Sequence, residues 1–188
     1  MATEYRKKPV CYNKAQLALR NRFRLLWEQH VYWTRMTILG IAFDSPDLNA
    51  TVERLLRNVP DFETTLGRFY TTEETKAFGK LLQDHLLIAA ELVNAAKAGD
   101  SNAVADIEKR WYANADEIVL LMQQMNPYWP VKIMKPMWYN HLALTENEAV
   151  YTLKGQHKKS IDTFDIIEKL AMEMADSFSK GIIKQFKI

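Results

Sequence analysis

The segment LLWEQHVYWTRMT, residues 25–37, carries His30 at its centre and establishes a pattern that returns along the chain. A related segment, KLLQDHLLIAA, surrounds His85, and a third, PMWYNHLALTE, surrounds His141. The three histidines follow one another at almost equal intervals. Recurrence at a fixed period is typical of a duplicated structural unit. The sequence therefore predicts three copies of one unit, each with a histidine near its middle.

Apolar residues around each histidine recur with the spacing of an α-helix rather than of a strand. DSPD at 44–47, Gly99, NPYWP at 126–130 and Gly155 interrupt this pattern and separate successive helices. Pro60 falls inside the second helical stretch, where it predicts a kink or a break. We expect an all-α fold of six helices paired as three helical hairpins. The stripe of the first helix contains Leu19, Phe23, Leu26, His30, Trp33, Thr37 and Gly40.

The chain length of 188 residues suits one domain. We expect a loose N-terminal arm over 1–12 and a single helical domain over 13–188. This domain would contain three repeat units, at about 13–70, 71–126 and 127–188. Hairpins that cannot bury both of their faces alone must pack on one another.

Composition limits the compartment and the partners. Apolar residues make up 48% of the chain and charged residues 26%, with a formal net charge of +2 and scattered basic residues. This balance gives no reason to expect nucleic acid or a membrane as partner. One cysteine, Cys11, excludes an internal disulfide and favours a reducing compartment, so we expect a cytoplasmic protein. Whether the chain forms a homodimer is left open by the sequence.

Each predicted hairpin has a histidine in its first helix and an aspartate in its second. The separation between the two is the same in the first and second copies and about two helical turns shorter in the third. Antiparallel helices joined by short turns would bring the two side chains to the same level. In isolated pairs, each aspartate would hold its imidazole cationic to a higher pH than a free histidine, whereas in a shared layer the groups would titrate as one coupled set. The candidate ligands are His30, Asp61, His85, Asp116, His141 and Asp165.

Two functions are compatible with this polar layer. In the first, the histidines and aspartates bind a metal ion, most simply a divalent transition metal, or a small ligand inside the bundle. In the second, the chain is a non-catalytic structural or interaction module whose His–Asp pairs only fix the helix register, since an unpaired buried polar group costs about 1–3 kcal/mol. Asp61, beside its apolar stripe, and Asp165, near Asp162 and Glu168, could instead face water.

Several chemistries lack their motifs. The sequence contains no Glu-x-x-His, HExxH, GxxxxGK[ST] or GxGxxG element, which argues against a di-iron site, a zinc protease and a nucleotide-phosphate loop. Whether the chain is an enzyme, and which reaction it would catalyse, stays open. Within NPYWP, Tyr128 and Trp129 are expected to plug one end of the bundle rather than line a pocket.

The motifs LLWEQHVYWTR, LLRNVPDF, HLLIAAELVNAAKAGD, RWYANADEI, NPYWP and HLALTENEAV cover most of the chain. In these motifs the sequence resembles a family of small bacterial all-helical proteins without established function. Some members of that family are labelled acetylglutamate kinase, but this sequence has neither the Gly-rich phosphate loops nor the α/β pattern of such a kinase. EQHVYWTR more distantly resembles the repeats of ferritin-like proteins. That resemblance implies an up-down ferritin-like four-helix bundle extended by a third helix pair.

Overall fold

The computed structural model describes residues 11–188, and within that range every regular element is an α-helix. The all-α prediction is confirmed. The N-terminal arm predicted for 1–12 falls mostly outside the described residues. The helices are α1 Lys14–Ala42, α2 Leu48–Leu56, α3 Asn58–Leu66, α4 Thr72–Ala98, α5 Ser101–Met125, α6 Val131–Leu153 and α7 His157–Phe186.

Local signals explain where the helices that carry the first two histidines begin and end. The side chain of Asn13 accepts a hydrogen bond from the backbone N–H of Gln16, whose side chain reaches back to the N-cap backbone. Thr71 and Glu74 form the same capping box before α4. These reciprocal bonds satisfy N–H groups that lack partners in the first turn of a helix. Gly99 then ends α4 with a φ of 74°, a left-handed conformation that suits glycine.

The second helix of the first hairpin is broken, which is why the described part of the chain forms seven helices rather than the expected six. The interruption lies at Arg57, between α2 and α3, and Pro60 occupies the first turn of α3. A proline ring clashes with the carbonyl four residues earlier, here that of Leu56, the last residue of α2. The first turn of a new helix tolerates proline, because its N–H groups have no helical partner there. The break expected from Pro60 is thus present, three residues before the proline itself.

The three hairpins are α1 with α2–α3, α4 with α5, and α6 with α7. Consecutive helices along the chain contact one another, and α7 returns to pack along α1, which closes a ring. The histidine-bearing helices α1, α4 and α6 also contact each other. Within residues 11–188 the backbones of the outer helices α3, α5 and α7 do not approach one another in this way. Side chains of α3 and α7 still meet in the core, where the ring centroids of Phe62 and Phe178 lie 6.1 Å apart. The arrangement therefore places the three histidine-bearing helices on the inside.

A continuous apolar core draws residues from all of these helices. Its largest fully buried members include Trp27, Trp111, Trp129 and Trp138. Of the NPYWP aromatics, Trp129 is buried, packs 5.2 Å from the ring of Phe178 and donates its indole N–H to the carbonyl of Ser177. Tyr128 is exposed. Of the two, therefore, it is Trp129 that fills the end of the bundle.

Candidate functional site

The structure brings His30, His85 and His141 together in the interior. His30 on α1, His85 on α4 and His141 on α6 are 1%, 1% and 2% exposed. The ring centroid of His141 lies 5.5 Å from that of His30 and 6.3 Å from that of His85. We call these three side chains the histidine cluster. Their meeting follows from the contacts among α1, α4 and α6, whose apolar stripes all face the core.

Tryptophan rings enclose the histidine cluster. Trp27 lies 5.1 Å from His30 and 6.0 Å from His141, measured between ring centroids. Trp138 lies 5.4 Å and Trp111 5.3 Å from the ring of His85. The indole N–H of Trp111 also donates to the backbone carbonyl of His85. The surroundings of the imidazoles are therefore apolar and fixed by packing.

Two asparagines hold the first two histidines in the same way. The Nδ1 atom of His30 lies 3.2 Å from Oδ1 of Asn58, and that of His85 lies 3.0 Å from Oδ1 of Asn114. The amide nitrogen of each asparagine donates to the carbonyl four residues before its histidine, at 3.0 Å for Leu26 and 3.1 Å for Leu81. Because the amide nitrogen of the asparagine already donates to a backbone carbonyl, the side-chain oxygen of the asparagine faces the imidazole. Nδ1 then carries the proton, and Nε2 keeps its lone pair.

The third hairpin, α6 with α7, lacks such an asparagine. Among the described residues, Nδ1 of His141 has no hydrogen-bond partner, and neither has Nε2 of His85. Both atoms are buried. A buried nitrogen without a partner is rare in folded proteins and is commonly explained by a bound water or ion.

Burial keeps the histidine cluster neutral. Desolvation lowers the pKa of His30 to about 4, while the hydrogen bond with Asn58 acts in the opposite direction. Desolvation and the nearby His30 lower the pKa of His85 to about 3, against the smaller effect of Asn114. For His141, desolvation and the other two rings hold the pKa well below its ordinary value. The cationic imidazoles expected for isolated His–Asp pairs are therefore not found, because burial lowers the pKa of each ring.

The three predicted aspartates do not join the histidine cluster. Asp61, whose side chain is 37% exposed, pairs with Arg22 on α1 at 3.5 Å. Asp116 lies 2.8 Å from Nζ of Lys135 and accepts a hydrogen bond from the hydroxyl of Tyr139. Asp165 is exposed on α7. In place of the three predicted His–Asp pairs, the structure has two His–Asn pairs, and the third histidine has no asparagine partner.

Charge and hydrogen-bonding capacity explain why the histidines pair with asparagine rather than with aspartate. An amide accepts from the imidazole and donates to a carbonyl, whereas an ionised carboxylate can only accept. Burying a carboxylate beside neutral tryptophans would also cost far more than burying an amide. The sequence did contain the signal, because Asn58 and Asn114 follow their histidines at spacings nearly as regular as those of the aspartates.

A second buried polar group was not predicted. Arg35 on α1 forms an ion pair with Glu148 on α6, and the same guanidinium nitrogen lies 3.1 Å from the hydroxyl of Ser160. Burial raises the pKa of Glu148 to about 7, although Arg35 opposes the shift. This network links α1, α6 and α7.

Within residues 11–188, no group of three or more His, Cys, Asp or Glu side chains is arranged to hold a metal ion. Over the same range no helix combines the length and the apolar character needed to cross a membrane. Comparisons with protein-family models, with curated proteins and with solved structures found no match.

Proposed function

We propose that this chain is a binding protein for a divalent first-row transition-metal ion, with imidazole nitrogens of His30, His85 and His141 as ligands. The observation that carries the proposal is the imposed tautomer. Asn58 and Asn114 accept the Nδ1 protons of two rings, which leaves two Nε2 lone pairs in the interior. Metal-bound histidines commonly donate their other ring N–H to a protein oxygen in this way.

Protonation supports the same proposal. Metal binding requires neutral imidazole, and the lowered pKa values keep all three rings neutral at physiological pH. Imidazole suits zinc, copper, iron and nickel ions. The Nδ1 atom of His141 has no hydrogen bond, so a turn of this ring toward an ion held by the other two would break none at that atom. That turn would complete a group of ligands that the present side-chain positions do not form.

Metal analysis tests the proposal. Protein purified without added metal is measured for metal content, then titrated with Co²⁺ while its visible absorption is followed. We expect about one equivalent for the wild type, since the three rings would share a single ion. His85→Gln should lose most of it, and His157→Gln, which alters an exposed histidine, should bind like the wild type. Less than about a tenth of an equivalent in all three proteins would overturn the metal site.

The second candidate is a structural or interaction module in which the cluster only fixes helix register. It is favoured by the closed geometry of the His–Asn pairs and by the lack of a ready arrangement of ligands within residues 11–188. In that case His85→Leu and Asn114→Leu should each destabilise the protein by about 1–3 kcal/mol, since each leaves one buried polar group unpaired. The double variant should lose much less than the sum of the two. Additive losses would argue against this role.

The setting of the function is part of the proposal. The lone Cys11, exposed and not disulfide-bonded, fits a reducing compartment such as the cytoplasm. The motifs quoted above support kinship with the small bacterial all-helical family and, more distantly, with ferritin-like proteins. A metal ion or small molecule, and a second copy of the chain, are the proposed partners; nucleic acid and membrane are not.

A further inference from the structure

We propose that the cavity beyond the histidine cluster, toward the C-terminal ends of α1, α4 and α6, binds a small alkylamine in its protonated form. The apolar body of the ligand would lie in the cavity and its ammonium group would pair with Glu146. This site is separate from the histidine cluster, and the inference does not depend on a metal being bound.

The cavity has a volume of about 40 Å³ and a wall formed by five helices, α1, α2, α4, α5 and α6. Most of its wall is aliphatic, with Ile38, Ile41, Leu86, Val93 and Ala149 among its lining residues. Several water-sized groups fit in such a volume, and an aliphatic wall favours a short hydrocarbon chain over water. The body of the ligand is therefore apolar and small.

Trp111 forms part of the wall and does not yield easily to a ligand. Its indole N–H donates to the carbonyl of His85 at 3.1 Å, and its side chain is 2% exposed. The cavity is thus bounded by a fixed aromatic ring on the side of the histidine cluster. A preformed wall reduces the ordering that a ligand must impose when it binds.

The polar groups on the wall decide the head group of the ligand. The hydroxyls of Thr37 and Thr145 already donate to backbone carbonyls of their own helices. The hydroxyl of Thr34 is buried and, within residues 11–188, has no hydrogen-bond partner. It can accept a hydrogen bond from a ligand that donates one.

Glu146 is the one ionisable residue among those that line the cavity. Among the described residues, no Lys, Arg or His forms a salt bridge with Glu146 or with its neighbour Glu108. Burial and the charge of Glu108 raise the pKa of Glu146, as expected for a carboxylate without a countercharge. Glu146 lines the cavity and its side chain is half-buried. A cation held at the edge of the cavity would pair with its carboxylate, and an alkylammonium ion supplies both the charge and the hydrogen-bond donors.

Binding of n-butylamine, n-butanol and butyrate to the metal-free protein tests the inference by NMR, with the methyl groups of Ile38, Ile41 and Val93 as reporters. At neutral pH, where the amine is protonated, we expect n-butylamine to bind at least about tenfold more tightly than n-butanol. Butyrate should bind most weakly, because Glu146 and Glu108 repel it. The three molecules have the same apolar body, so the comparison isolates the head group.

Glu146→Gln keeps the size of the side chain and removes its charge. It should abolish the preference for the amine over the alcohol, while Glu168→Gln, at an exposed position on α7, should leave that preference unchanged. Equal binding of amine and alcohol to the wild type would overturn the charge recognition. If none of the three molecules shifts the methyl resonances, the site itself is overturned. Neither result bears on the metal content of the histidine cluster.

Discussion

Oδ1 of Asn114 lies 3.0 Å from Nδ1 of His85, and both side chains are buried between α4 and α5. The amide nitrogen of Asn114 donates to the carbonyl of Leu81, so the asparagine cannot turn away without losing two hydrogen bonds. Asn58 repeats the arrangement with His30 in the first hairpin. The His–Asn pair is therefore the geometry that the first two hairpins share.

Replacing either asparagine by alanine should destabilise the protein by about 1–3 kcal/mol, because a buried imidazole N–H would lose its acceptor. Chemical denaturation of Asn58→Ala and Asn114→Ala measures this loss. Asn140→Ala provides the control, since Asn140 is exposed on α6 next to His141. It should change the free energy of unfolding by less than about 0.5 kcal/mol. A similar small effect at Asn114 would mean that the pair contributes little.

The histidine cluster should make the metal-free protein sensitive to acid. The pKa of each buried imidazole is lower in the folded than in the unfolded chain, with values of about 4 for His30 and about 3 for His85. Between those values and about 6.5, the unfolded chain binds protons that the folded chain does not, so stability falls as the pH falls. Glu148 opposes this trend, because its folded pKa of about 7 makes the folded chain bind a proton in the same range.

The three histidines and Glu148 alone leave a net difference of about two protons between pH 5 and 6, and the raised pKa of Glu146 makes this an upper bound. We expect the free energy of unfolding to fall by about 2–3 kcal/mol over that interval, since each proton contributes about 1.4 kcal/mol per pH unit. Denaturation curves at pH 5, 6 and 8 with a chelator present measure the slope. His85→Gln should make it shallower, whereas equal stability at pH 5 and 8 would contradict neutral burial of the cluster.

The ion pair of Arg35 and Glu148 should matter more at high than at low pH. Without Arg35, the pKa of Glu148 would rise further, and its ionised form would lack a partner in the interior. Arg35→Met should therefore destabilise the protein more at pH 8 than at pH 6, and adding Glu148→Gln should recover part of the loss. Lys158→Met, which breaks an exposed pair with Asp162, should cost less than about 0.5 kcal/mol at either pH. A loss independent of pH would exclude ionisation of Glu148 as its cause.

Gly181 on α7 should not tolerate a side chain. A Cβ atom there would overlap Nε1 of the buried Trp129, whose indole is held by the carbonyl of Ser177. Gly181→Ala should therefore destabilise the protein by about 1–3 kcal/mol. At Gly79 a Cβ atom would overlap Oε1, Cδ and Cγ of Glu63, a flexible side chain that would have to turn away and weaken its ion pair with Lys76, so Gly79→Ala should cost less than Gly181→Ala. Thermal unfolding of the two variants compares them directly, and equal melting temperatures would refute the clash.

The helices and their partners along the chain were predictable because the signals that define them are local. The apolar stripe through His30, the Thr71–Glu74 cap and Gly99 act over one or two helical turns. The same stripes predicted that the histidines would face the core, and α1, α4 and α6 do bring them together. The break near Pro60 was predictable for the same reason, although its position at Arg57 depends on the clash with the preceding turn.

The partners of the histidines depended on the tertiary structure. Asp61 and Asp116 follow their histidines at one shared spacing, which placed them near the level of the imidazoles. Asn58 and Asn114 follow at slightly shorter spacings that place them near the same level. Each residue turns a helix by about 100°, so rotation about the helix axis decides which of two nearby side chains faces inward. That rotation is set by packing among the tryptophans and by the cost of burying a carboxylate, and both depend on contacts between distant parts of the chain.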